Sequence, residues 1–243
     1  MDNFTTLHYA FADGVARVTL DRPEARNALN MAMCEELIAV ARKAQAEKEA
    51  RLLIIRGAGP AFCAGADLKE RADKTADWVR TRRMRAFEAY DALESLPFPV
   101  VAAVHGPAMG AGVEICTICD IVVATPQAFF GTPEAQRGTI GATQRLGKII
   151  GRHLAKDMMF TGRRLTAEEA RDAGLVARVV PRASLDAELD EITKAIVSAP
   201  AMAIRQAKHC INRAMELDAK GALAVEIAAI DEQLAAGTWL GKK

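Results

Sequence analysis

Two periodicities alternate along most of this chain. Residues 15–20 (VARVTL) alternate apolar and polar side chains and are rich in β-branched residues, which predicts a strand. From Met31 to Lys48 the apolar residues Met33, Leu37, Val40, Ala41 and Ala44 recur at helical spacing, with Asn30 placed to cap the helix. Residues 52–56 (LLIIR) and 100–104 (VVAAV) are short apolar runs, the pattern of strands buried on both faces. Between them the sequence predicts a long helix over Thr75–Leu96, rich in arginine and ended by Pro97 and Pro99. Helices are also predicted over 113–119 and 144–160, the latter stopped by Gly162. Thr166-Ala-Glu-Glu169 reads as a capping box opening a helix that Gly174 ends. Strands are expected at 120–125 and 176–180. From Ser184 onward the pattern is helical, interrupted at Pro200.

Strands alternating with helices imply an α/β core over residues 1–183, followed by a helical C-terminal region over 184–243. Hydrophobic residues make up 51% of the chain and aromatics only 5%, so the core must be built from aliphatic side chains. The 32 basic and 31 acidic residues leave a net charge of +1, which gives no global attraction to nucleic acid or an anionic membrane. An anionic ligand would have to be held by local charges. The five cysteines are scattered, and the Cys116/Cys119 pair has no second pair at metal-ligand spacing, so they read as buried thiols rather than disulfides or a metal site. No signal peptide and no apolar run of membrane-spanning length is visible. The expectation is a cytoplasmic protein, with the mitochondrial matrix after loss of a transit peptide as the alternative.

Two segments could bring backbone amides to a ligand. Phe62-Cys63-Ala64-Gly65-Ala66-Asp67-Leu68 follows a buried strand, and its small residues allow close approach. His105-Gly106-Pro107-Ala108-Met109-Gly110-Ala111-Gly112 runs from a strand into a helix, whose N-terminus presents unpaired amides to an oxygen gaining negative charge. Neither segment is a nucleotide motif. The third glycine of a dinucleotide fingerprint is Ile115, and the spacing from Gly141 to Lys148 does not fit a phosphate loop. Glu114 sits just inside the helix after the second bend and Glu134 just beyond a strand, in Phe130-Gly131-Thr132-Pro133-Glu134, and two carboxylates at one site can divide acid and base roles. Spacing alone leaves open whether they converge. Arg80, Arg82, Arg83 and Arg85 read by default as one solvated helix face, with contact to phosphates of a ligand as the next reading.

Taken in order, VARVTLDRPEARNALN, AFCAGADLKER, LPFPVVAAVHGPAMGAGVEICTICDIVVA, FGTPEAQRGTI, TQRL and TGRRLTAEEARDAGLVARVV resemble the crotonase superfamily of enoyl-CoA hydratases and isomerases over nearly the whole chain. FCAGADLKER before an arginine-rich helix looks most like the methylglutaconyl-CoA hydratases within it. The resemblance implies a spiral of ββα units with C-terminal helices that assemble trimers or hexamers. It implies an oxyanion hole from the amides of Ala66 and Ala111. It also implies a coenzyme A groove along Ala25, Arg26, Ala64, Gly65, Asp67, Leu68 and Gly110. By the same resemblance, Glu114 activates water and Glu134 protonates the α-carbon. The implied activity is hydration of a 2-enoyl-CoA with no metal and no separate cofactor, coenzyme A being part of the substrate; no nucleic-acid or membrane partner is expected. The alternatives are an enoyl-CoA isomerase or a weakly catalytic acyl-CoA- or RNA-binding relative. The chain departs from the family pattern at Ala111, where glycine is usual, in a shortened loop over 138–143, and in a compact C-terminal end from Asp231.

Overall fold

The computed structural model describes residues 4–237. The elements in chain order are β1 (Leu7–Ala12), β2 (Val15–Leu20), α1 (Met31–Ala46), β3 (Leu52–Gly57), α2 (Leu68–Arg71), α3 (Ala76–Glu94) and β4 (Val100–Val104). They continue as β5 (Ala108–Met109), α4 (Ala111–Ile118), β6 (Ile121–Ala124), β7 (Phe129–Gly131), α5 (Thr143–Ile149), α6 (Arg152–Thr161) and β8 (Arg164–Thr166). The last elements are α7 (Ala167–Asp172), β9 (Arg178–Val179), α8 (Leu185–Ser198), α9 (Ala201–Ala214) and α10 (Ala219–Ala235).

The main sheet has the order β1-β2-β3-β4-β6-β9. β1 and β2 are antiparallel, and β2 through β9 pair in parallel. The apolar runs in β3 and β4 are explained by two-sided burial. Leu53, Ile55, Val100, Ala102 and Val104 face the layer of α1, α3 and α4. Leu52, Ile54, Val101 and Ala103 face the opposite side, where Leu185, Leu189, Ile192 and Ile196 of α8 cover them. The sheet core therefore extends through α8, beyond the 183/184 boundary drawn from the sequence. A second sheet, β5-β7-β8, lies against the end of the first.

α1 begins where expected, with the Asn30 side chain accepting the Met33 amide at 2.9 Å. The capping box also forms, Thr166 and Glu169 bonding each other's backbone. Three readings needed correction. The helix expected over 144–160 is two helices, because Gly151 turns the chain at φ +78°. The edge strand β1 was missed, since its solvent side carries His8, Ala10 and Ala12 and its pattern is diluted. The strands β5, β7 and β8 are two or three residues long and carry no readable period.

α9 and α10 pack on each other but contain no buried residue. Ile211, Leu223, Ile227, Ile230 and Leu234 are about half exposed or more. α9 is tied to the core by Lys208, whose ammonium donates to Asp120 at 2.8 Å and to the Phe98 carbonyl at 3.1 Å. Among the described residues, no helix is long and apolar enough to cross a membrane.

Candidate active site

The two glycine-containing bends leave the carboxyl ends of β3 and β4, which are neighbours in the sheet. That is where parallel α/β sheets present ligand sites. The bends are stitched together: the Cys63 amide donates to the Pro107 carbonyl at 3.2 Å, and the Met109 amide to the Cys63 carbonyl at 2.9 Å. At Gly65 the backbone turns with φ +103°, and a Cβ there would stand 3.0 Å from the Met109 carbonyl oxygen. Glycine is required on both counts.

Two amides are left over. Leu29 bridges this segment through the Gly65 carbonyl at 2.8 Å and the Asp67 amide at 3.0 Å, which leaves the Ala66 amide between them without a backbone acceptor. Ala111 is the first residue of α4, a position with no intrahelical acceptor. Both residues line one cavity of about 50 Å³, together with Gly65, Gly110, Glu114 and Glu134.

Glu114 sits in the first turn of α4, and both of its oxygens are held. Oε1 accepts the Ala142 amide at 2.8 Å and Oε2 accepts the Tyr90 hydroxyl at 3.3 Å. Ala142 makes the first contact from the left-handed region, at φ +54°. Glu134 arrives from another direction. The Gly110 amide donates to the Gly131 carbonyl at 2.8 Å, which docks β7 beside the bend, and Glu134 follows three residues later. Its Oε1 lies against Gly110, so closely that a Cβ there would collide with it. Its Oε2 is buried without a hydrogen-bond partner. Burial, and after it the charge of Glu114, push the Glu134 carboxyl above the usual carboxylate range. The two carboxylates thus converge on one cavity, Glu114 with both oxygens hydrogen-bonded and Glu134 with one oxygen buried and unpartnered.

The groove residues divide. Ala64 and Leu68 line the cavity mouth, and Leu68 is 40% exposed. Ala25 and Arg26 lie in a short 3-10 turn beside it, with the Arg26 carbonyl accepting the Ala64 amide at 2.9 Å. The Asp67 side chain is occupied structurally. It caps α2 by accepting the Lys69 and Glu70 amides at 3.0 and 3.1 Å, and it pairs with Arg22 at 2.9 Å. Burial alone would raise its carboxyl, but the Glu70 amide and Arg22 outweigh that and hold it below the usual range. Asn27 was not singled out from the sequence. Fully buried at φ +57°, it donates to the carbonyls of Ala58 and Ala61 at 2.8 and 2.9 Å and so shapes the first bend.

The arginines do not form one solvated face. Arg85 pairs with Glu35 and Glu88, and Arg80 is exposed. Arg82 instead occupies the buried stripe of α3 with Ala86, Ala89, Tyr90 and Leu93. It donates to the Leu29 carbonyl, and its Nε is buried without a partner. Arg83 lines the cavity beside it and stacks over Phe87, 5.7 Å from the ring centre. His105 is structural, its Nε2 lying 2.9 Å from the Gly59 carbonyl oxygen.

Residues 10–236 match the family model described as enoyl-CoA hydratase/isomerase. The chain belongs to the enoyl-CoA hydratase/isomerase family. A short-chain-enoyl-CoA hydratase of Clostridium acetobutylicum is 39% identical over 222 residues, covering 90% of this chain and 85% of the relative. The crystal structure of an enoyl-CoA hydratase from Bacillus anthracis superposes with a TM-score of 0.90 at 36% identity, covering 93% of this chain and 90% of that one. An enoyl-CoA hydratase structure from Mycobacterium smegmatis gives 0.91 at 33% identity, covering 95% and 91%. The family's α/β architecture with C-terminal helices is therefore the architecture of this chain.

Proposed function

We propose that this chain is an enoyl-CoA hydratase adding water across the double bond of a 2-enoyl-CoA. The observation that carries the reading is the convergence, on one small cavity, of two unpaired amides and two carboxylates, one clamped through both oxygens and one with a buried, unpartnered oxygen. The thioester oxygen accepts from the Ala66 and Ala111 amides. Glu114, whose oxygens both accept hydrogen bonds, is held in place to act as the base. It takes a proton from water as the water oxygen bonds to the β-carbon. The double-bond electrons move to the α-carbon and thioester oxygen as an enolate. Glu134, acting as the acid, then gives a proton to the α-carbon, and the proton on Glu114 returns the pair to its starting state through solvent. Two preorganised donors stabilise the enolate, each typically contributing about 3–4 kcal/mol.

The cavity is small, which favours a short acyl group. Arg82 and Arg83 favour one whose far end accepts hydrogen bonds, a carboxylate above all. A buried guanidinium with an unpaired Nε is costly to the free protein and is satisfied by an anion. The exposed apolar residues of α9 and α10 support a trimer or hexamer as the working state. The test supplies a five-carbon 2-enoyl-CoA and the coenzyme A monothioester of pent-2-enedioic acid, following loss of the conjugated absorbance. Turnover of both, faster for the second, supports the whole reading. Turnover of the first alone removes the acidic acyl end, and turnover of neither removes the hydratase.

A further inference from the structure

Tyr90 lies on the buried stripe of α3, where helical periodicity calls for an apolar side chain. It is 1% exposed, and its ring is held edge-on by Phe87 at 6.4 Å between centres. Burial, and then the charge of Glu114, keep it a phenol far above its ordinary pKa, so toward an ionised neighbour it acts only as a donor. Its hydroxyl donates to Glu114 Oε2 at 3.3 Å. The other oxygen, Oε1, is fixed from the opposite element by the Ala142 amide at 2.8 Å.

From this clamp we propose that Tyr90 is a positioning residue for hydration, its hydroxyl donating to the Glu114 carboxylate and fixing its orientation so that water is activated toward the β-carbon. The inference rests on the hydratase reading. A carboxylate held through one oxygen alone can rotate about its final torsion; held through both, it keeps one lone pair directed at the cavity. Other charged or titratable groups surround the pair: Cys63 from the first bend and Glu134 from beyond β7 interact with Glu114, and Arg82, on the helix of Tyr90, interacts with Tyr90 and lines the same cavity. None of them is a hydrogen-bond donor to Glu114, so Tyr90 and Ala142 share that task.

The first test is Tyr90→Phe, which keeps the ring and its contact with Phe87. The expected result is a fall in kcat of about tenfold with KM changed little. The acid limb of the pH profile should move to higher pH by about half to one unit, because a donor that favours the charged carboxylate is gone. In a Glu114→Gln background the same substitution should cost little more, since the group it positions is absent. The second test reverses the sign without removing an atom. The chain has two tyrosines, Tyr9 and Tyr90, so 3-fluorotyrosine incorporated into a Tyr9→Phe protein labels Tyr90 alone. Its more acidic hydroxyl is a stronger donor, and the acid limb should move to lower pH. An unmoved acid limb in the fluorotyrosine protein overturns the inference, as does an equal penalty for Tyr90→Phe with and without Glu114. A wild type unable to hydrate any 2-enoyl-CoA overturns the hydratase reading itself, and this inference with it.

Discussion

Gly65→Ala separates the oxyanion hole from the carboxylates. In the wild type a Cβ at this position would stand 3.0 Å from the Met109 carbonyl oxygen and 3.9 Å from the Ala111 amide nitrogen. Ordinary contact begins at 3.4 Å, so the bends must separate by about 0.4 Å even if nothing else moves. The backbone at φ +103° is, in addition, a conformation that alanine adopts only under strain of about 1–3 kcal/mol. Either response, a shifted bend or a rotated peptide, re-aims the Ala66 amide that follows. The methyl also projects toward the space in which an oxygen would meet the Ala111 amide. Losing one such donor costs about 10²–10³ in kcat. The expected outcome is thus a fall in hydration of about 100-fold, with a lower Tm but an unchanged circular dichroism spectrum. Steady-state hydration of a 2-enoyl-CoA, with melting curves beside it, measures both. A folded Gly65→Ala enzyme with kcat within about threefold of wild type would refute the oxyanion-hole geometry.

Gly112→Ala should act similarly without backbone strain, because its Cβ would collide with the Cys63 carbonyl; a fully active, folded variant would contradict this. Glu114→Gln and Glu134→Gln should each lower hydration by about 100-fold or more, and together less than the product, measured by initial rates. Glu134→Gln should also raise the Tm. Its folded-state pKa is raised, so ionisation costs the fold nothing below the ordinary carboxylate range and more as pH rises through the folded value. The gain should therefore be larger at neutral than at acid pH, and calorimetry at two pH values checks it. Asp67→Ala removes the α2 cap and the Arg22 partner, so Tm should fall by a few degrees and KM for the coenzyme A thioester should rise as the groove loosens. Light scattering at micromolar concentration should show a trimer or hexamer; a monomer would leave Leu223, Ile227 and Ile230 without a covering surface.

Strong periodicity made the sheet and the long helices legible. Runs such as VVAAV could only be strands buried twice, and α8 supplies the second cover. The bends were legible only as small-residue connections at strand ends; that the two meet is a property of the fold. The convergence of Glu114 and Glu134 was not legible, because it depends on β7, three residues long, pairing with β5 and accepting the Gly110 amide at Gly131. Tyr90 carried no functional signal in the sequence, because an aromatic ring on the buried stripe of α3 serves packing; only the hydroxyl gives it a second role. Arg82 was lost in a cluster whose members point to different places, although its register with Ala86, Ala89 and Leu93 was visible in the spacing. Asn27 carried a signal that was available, an asparagine in the turn that follows β2, where the left-handed region favours it. The two separate helices over 143–161 turned on Gly151, whose positive φ no periodicity reports.

The most direct test of the central claim gives the wild type, Glu114→Gln and Glu134→Gln a 2-enoyl-CoA in ¹⁸O-labelled water, with a 3-enoyl-CoA as a parallel substrate. The account predicts a labelled 3-hydroxyacyl-CoA from the wild type and about 100-fold less from either variant. A wild type that shifts the 3-enoyl double bond rapidly but incorporates no label would contradict it and make this chain an isomerase.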